Sequence, residues 1–138
     1  VFMLDLDNFK DFNDGFGHLR GDEVIQLQAT ILREVFNRDT DVVARYGGEE
    51  FVVISLDNSP AECEVLAQQI LHSWRHKKVE HGQGKGQRYV SCSIGLVNAR
   101  VDKNTDKKQL FEEADKAMYA AKDSGRAMFV NATKPDNG

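Results

Sequence analysis

The chain opens on residues 1–6, apolar at nearly every position and broken by Asp5. So short and continuous a run predicts a strand buried on both faces. Its tip carries two carboxylates, Asp5 and Asp7. Residues 8–13 fit one or two helical turns, after which Gly15, Gly17 and Gly21 read as loop punctuation. Asp22 is placed to cap a helix. From 24 to 36 two apolar stripes run at helical spacing: Val24, Leu27, Ile31 and Val35, and beside them Ile25, Ala29, Leu32 and Phe36. Residues 41–46 and 49–55 are strand-like and joined by Gly47-Gly48. That pair predicts a tight hairpin with positive φ at both glycines. Pro60 suits a helix start, and residues 61–74 present Val65, Ala67, Ile70, Leu71 and Trp74 to a core. Residues 76–87 are polar, carry Gly82, Gly84 and Gly86, and read as a mobile loop. Residues 89–98 alternate as a strand. Residues 107–122 form a helix with Leu110, Phe111, Ala114, Ala117, Met118 and Ala121 inward, ended by Gly125. A short strand over 127–130 precedes a polar tail.

The order β-α-β-β-α-β-α-β predicts an α/β fold with one sheet, a central hairpin in it, and helices on its faces. Alternation of strands and helices around a tight hairpin favours a ferredoxin-like, palm-type sheet over a doubly wound one.

A chain of 138 residues, 41% apolar and 29% charged, suits one soluble domain without disulfides. Its formal net charge of −4 excludes the basic field that holds long nucleic acid, while leaving room for a small phosphorylated ligand bound by a few local cations. Cys63 and Cys92 lack metal spacing and read as buried thiols in a reducing, cytoplasmic compartment. No run of about 18 apolar residues offers a membrane span. The start inside an apolar run, with Met3 not first, points to a piece of a longer protein.

Acids gather at two strand ends: Asp5, and Glu49-Glu50 beyond the glycine turn. If the first strand lies beside the hairpin these carboxylates converge, an oxygen-rich setting for Mg²⁺ that leaves phosphate oxygens as further ligands. A solvated turn with acidic flanks is the alternative. His18, His72, His76 and His81 have no metal-ligand spacing, and Trp74 reads as core.

The run Arg45-Tyr46-Gly47-Gly48-Glu49-Glu50-Phe51 resembles the signature of GGDEF-domain diguanylate cyclases in its Glu-Glu form. Four further segments resemble that family in order: Asp5-Leu6-Asp7-Asn8-Phe9-Lys10; Asn13-Asp14-Gly15-Phe16-Gly17-His18 with Gly21-Asp22; Ser93-Ile94-Gly95; and residues 114–122 with Gly125-Arg126. The resemblance spans nearly the whole chain. It implies a nucleotidyl cyclase-like palm sheet over residues 1–131 lacking the family's N-terminal segment, and a loose tail over 132–138.

It also implies roles. Asp5 and Glu49 would hold Mg²⁺ or Mn²⁺ with the Leu6 carbonyl. Glu50 would be a further ligand or the base for the 3′-hydroxyl. Gly47 and Gly48 would let a nucleotide lie on the turn. Asn13 and Asp22 would read guanine, whose N1–H and N2–H₂ donors suit a carboxylate; a plain helix cap is the alternative for Asp22. Lys10, Lys122 and Arg126 would contact the triphosphate, the alternative for the last two being helix-dipole partners. Arg38 and Asp41 resemble an inhibitory product site. The implied reaction joins two GTP into cyclic di-GMP across a homodimer of domains, with no nucleic-acid polymer or membrane contact from this segment; the full-length protein stays free to carry a membrane anchor. A silent module binding GTP or cyclic di-GMP is the main rival, and a cyclase with another product a second.

Overall fold

The structure is a computed structural model describing residues 1–84 and 86–133. Five strands form one sheet in the order β2-β3-β1-β6-β7. β1 (Phe2–Leu6) is its middle strand, antiparallel to β3 (Glu50–Ile54) and β6 (Cys92–Leu96). β2 (Val42–Gly47) and β7 (Phe129–Asn131) are the edges, β7 running parallel to β6. The expected palm-type sheet flanked by helices is present. The β2–β3 hairpin lies at one edge, however, and the first strand takes the centre instead.

All five residues of β1 are buried, as a strand covered on both faces must be. The two-residue side-chain period divides them. Phe2, Leu4 and Leu6 join Phe51, Val53, Cys92, Ile94 and Leu96 under α2 (His18–Val35) and α3 (Pro60–Lys77). Met3 joins Val52, Val97, Ala114 and Met118 under α4 (Lys107–Asp123). Two apolar layers therefore sandwich one sheet. Buried Trp74 spends its indole N–H on Gln28 Oε1 at 2.7 Å, so that nitrogen is satisfied within the first layer, while Gln28 Nε2 is buried without a hydrogen-bond partner among the described residues.

Several boundaries differ from the sequence reading. α1 (Phe9–Phe16) runs through Asn13, Asp14 and Gly15, and Gly17 (φ +86) alone separates it from α2. The expected loop over 15–21 is thus mostly helix, and Asp22 lies inside α2 instead of capping it. The periodic signal began at Val24 because the exposed first turn of α2 has no apolar face. In the hairpin Gly47 pairs with Glu50, leaving Gly48-Glu49 as the loop. Only Gly48 has positive φ (+50). An irregularity between Arg45 and Gly47 sets Tyr46 outside the ladder and moves the turn one residue on.

α3 continues to Lys77, capped at its start by Ser59 Oγ accepting from the Glu62 amide at 3.1 Å. The expected loop over 76–87 instead holds a second small sheet, β4 (Glu80–Gly84) with β5 (Gln87–Tyr89); Lys85 lies outside the described residues. Its glycines and polar side chains hid the strand pattern. The single strand expected over 89–98 breaks at Val90-Ser91 into β5 and β6. Of the expected tail, Ala132 donates its amide to Leu96 O and Thr133 Oγ1 accepts from the Asn98 amide. Residues 134–138 lie outside the described residues. No helix among the described residues is long and apolar enough to cross a membrane.

Gly95 is where β6 meets α4. A Cβ there would lie 2.0 Å from Ala114 O and 2.3 Å from Met118 N, both backbone atoms. Gly95→Ala therefore cannot be absorbed by a side-chain rotation. It is expected to lower unfolding stability by about 3 kcal/mol, read as a shift in urea midpoint at unchanged slope.

Candidate active site

The period that buries Met3 under α4 sends Asp5 to the same face, followed by Asp7. On β6 it sends Ser93 and Gly95 there, and on β3 Glu50 and Val52. Asp5 is the cross-strand partner of Glu50. The two carboxylates expected to converge do so, one strand apart, beside the Gly48-Glu49 turn. Arg45 braces that turn through Nε donating to Gly48 O at 2.7 Å. Tyr119 of α4 stands on this side, its phenol pKa pushed up by Glu50 first and Asp115 next.

Lys122, in the last turn of α4, reaches into this cluster. Its ammonium lies 2.9 Å from Asp5 Oδ1, 3.3 Å from Asp7 Oδ1 and 3.4 Å from Leu6 O. Three donors meet three acceptors, so this lysine does more than complement a helix dipole. Asp5 is buried, which pushes its carboxyl up to about 6; Lys122 opposes the rise, and Glu49 and Glu50 add to it. A carboxylate raised in this way gains from any additional cation.

The donor set suits a hard divalent ion: two facing carboxylates, a third on the turn, and a strand-end carbonyl. The Lys122 ammonium already occupies the cation position against Asp5 and Leu6 O, an indication that these oxygens fit a positive charge. Among the described residues no three His, Cys, Asp or Glu side chains close into a preformed metal cage. The open arrangement leaves room for phosphate oxygens.

Asp7 is the residue the sequence reading left without a role. It is 1% exposed and accepts from Ser91 Oγ at 2.6 Å, Ser93 Oγ at 2.6 Å and the Ala127 amide at 3.0 Å, besides Lys122. The Asp-x-Asp spacing at the strand tip was the available signal, since i and i+2 share a face.

Asn13 sits in α1 with Oδ1 buried and unpartnered. A Cβ on Gly21 would fall 1.9 Å from that atom, so the glycine makes the space the amide fills. Asp22, next along α2, is exposed, as is His18 at its start, and the i, i+4 spacing puts both on one face. Lys10 is exposed in the first turn of α1, and Arg126 is exposed just beyond α4. His81, expected in a mobile loop, is instead fully buried with Nε2 3.0 Å from Asn8 O.

Arg38 and Asp41 lie at the opposite end of the hairpin from the glycine turn and are engaged with each other. Arg38 Nη2 is 3.2 Å from Asp41 Oδ1 and also donates to Ser55 Oγ at 2.7 Å and Leu56 O at 2.5 Å. Asp41 further accepts from the Arg38 amide at 3.0 Å and from Ser55 Oγ at 2.7 Å. Burial alone would raise the Asp41 pKa. The Ser55 hydroxyl, the Arg38 amide and the guanidinium outweigh it and hold the carboxyl below the usual range.

A family model described as diguanylate cyclase, GGDEF domain, matches residues 1–128. The chain is 40% identical over 126 residues to the diguanylate cyclase DgcS of Shewanella oneidensis, covering 91% of this chain and 40% of that protein. It is 36% identical over 137 residues to the cyclic di-GMP phosphodiesterase PdeR of Escherichia coli, covering 99% of this chain and 20% of that one. The chain thus spans well under half the length of these curated relatives. The crystal structure of the GGDEF domain of DgcB from Caulobacter crescentus, in complex with c-di-GMP, superposes with a TM-score of 0.82 at 28% identity, over 95% of this chain and 75% of that one.

Because the Asp41 carboxyl is harder to protonate folded than unfolded, its stabilisation is full at neutral pH and fades as pH falls through the folded value. Asp41→Asn is expected to cost on the order of 1 kcal/mol at pH 7. The deficit should begin to shrink below about pH 4, where the unfolded carboxylate becomes protonated, and go on shrinking as pH falls through the lower folded value. Urea melts of both proteins at pH 7 and pH 3 check this; a deficit independent of pH contradicts it.

Proposed function

The chain belongs to the diguanylate cyclase GGDEF domain family, and on that premise we propose that its site condenses two GTP into cyclic di-GMP and two pyrophosphates. The observation that carries the reading is the cross-strand pairing of Asp5 with Glu50 beside an open glycine turn, with Lys122 among the same oxygens. Acids and cations held together on one sheet face match what phosphoryl transfer needs: positioning and screening of charge.

Each domain takes one GTP. Asn13 and Asp22 accept from the guanine donors; Asp22 is exposed, and Asn13 Oδ1 has no partner among the described residues that competes for it. The backbone at Gly47 and Gly48 leaves space for the nucleotide, since a Cβ at either position would meet nothing within 4 Å. Lys10, Lys122 and Arg126 balance the triphosphate charge. Asp5, the Leu6 carbonyl, Glu49 and Glu50 would hold Mg²⁺ or Mn²⁺, which when bound supplies Lewis-acid charge at the phosphate oxygens. Glu50 also helps remove the proton of the 3′-hydroxyl. The 3′-oxygen of each GTP bonds to the α-phosphorus of the other, and the bond from that phosphorus to the bridging oxygen of pyrophosphate breaks. One domain presents one nucleotide, so a homodimer completes the ring.

Arg38 and Asp41 form a second, inhibitory product site. Their mutual pairing supports it as a preassembled donor–acceptor pair well away from the acids, as coupling between two sites requires. The domain is read as residues 1–131.

The test is incubation of the concentrated protein with GTP and Mg²⁺, products being identified by chromatography and mass. Cyclic di-GMP is expected, and Glu50→Gln should lower its rate by about 100-fold or more. Fusing a dimerising coiled coil upstream guards against silence from a dissociated dimer. A fused protein that binds GTP but makes no product would overturn the cyclase reading in favour of a binding module.

A further inference from the structure

Asp7 lies outside the set of residues given roles above, yet four donors from three parts of the fold end on it. Oδ1 takes Ser93 Oγ at 2.6 Å and Lys122 Nζ at 3.3 Å; Oδ2 takes Ser91 Oγ at 2.6 Å and the Ala127 amide at 3.0 Å. Only an acceptor-only group with two oxygens meets four donors at once; an asparagine would turn an N–H toward at least one of them. A buried carboxylate is costly to desolvate and persists where its hydrogen bonds and a cation compensate it. Two hydroxyls and an amide saturate Asp7 on three sides, and Lys122 is its cation.

We infer that Asp7 is a positioning residue for the phosphate-binding cations, holding the Lys122 ammonium and the turn that presents Arg126; this rests on the reading of those two residues as triphosphate contacts. Two observations combine. First, the other acceptors of Lys122 are Asp5 and Leu6 O, the oxygens that a divalent ion would take. Asp7 is the anion left to hold the ammonium at the site. Second, Arg126 (φ +65) and Ala127 (φ +51) both lie in the left-handed region, which side-chain-bearing residues avoid. The Ala127 amide donating to Asp7 Oδ2, with the Arg126 amide donating to Ala121 O at 3.0 Å, keeps the backbone in that turn. One carboxylate therefore governs where both cations stand relative to the end of β1. It touches no nucleotide and acts through Lys122 and Arg126.

The readout is discrimination between a phosphorylated and an unphosphorylated ligand. Calorimetry in Mg²⁺ buffer measures binding of a GTP analogue with a methylene bridge between the α- and β-phosphates, and of guanosine. For Asp7→Asn the analogue is expected to bind about tenfold more weakly while guanosine stays within about twofold. A merely structural residue would weaken both alike, and that result overturns the proposal. Ser91→Ala removes one donor and leaves the charge; it should shift the analogue-to-guanosine ratio in the same direction by about two- to threefold. If Asp7→Asn does not fold, an unchanged ratio in Ser91→Ala overturns the proposal alone. Arg126→Ala, at an exposed position, is the control: a lowered ratio supports its place among the phosphate contacts, and a parental ratio there overturns the part of the proposal that runs through Arg126.

Discussion

A strand buried on both faces can carry ionised side chains only near its end, and only where neighbouring elements supply charges and donors for them. β1 meets this condition on one face. Its even positions pack under α2 and α3 as pure hydrocarbon. Its odd positions, Met3 and Asp5, continued by Asp7, pass from apolar to acidic beneath α4, just where the last turn of that helix delivers Lys122. The close approach of α4 to the sheet at Gly95 sets the distance across which this ion cluster forms. The same side-chain period brings Glu50 and Ser93 to that face from the two neighbouring strands.

The cluster is electrostatically unbalanced by design of its surroundings. Burial raises the Asp5 carboxyl to about 6, Lys122 opposes the rise, and Glu49 and Glu50 add to it. Asp7, two residues on, has four donors and a fixed place. Two carboxylates in one short segment thus take different parts. One has spare demand for positive charge and suits a ligand or metal. The other is satisfied internally and suits support.

The Arg38–Asp41 pair shows a third way to hold charge. There a partly exposed guanidinium and a carboxylate are tied to each other and to Ser55, so the stretch entering β2 is fastened to the stretch leaving β3. A fastening of this kind keeps the far end of the hairpin in register while the glycine end stays open.

Much of this was legible in the linear order of residues. Apolar periodicity located β1, α2, α3 and α4, because burial demands it whatever the partner. The Gly-Gly pair announced a hairpin, and the acids Asp5 and Glu49-Glu50 at two strand ends announced a charged site, to which the family resemblance added Lys122. Other features arise from contacts distant in sequence. Helices α1 and α2 run through Gly15 and Gly21, and at Gly21 close packing against Asn13 outweighs helix propensity. The extra residue at Tyr46 moved positive φ to Gly48 alone. The small β4–β5 sheet lay hidden under glycines. Asp7 looked like a second copy of Asp5 until Ser91, Ser93 and Ala127, all more than 80 positions away, converged on it. Local pattern determines which face a side chain takes; only the packed fold decides which donors wait there, and so whether a carboxylate is left free to bind or is already spent on holding the site together.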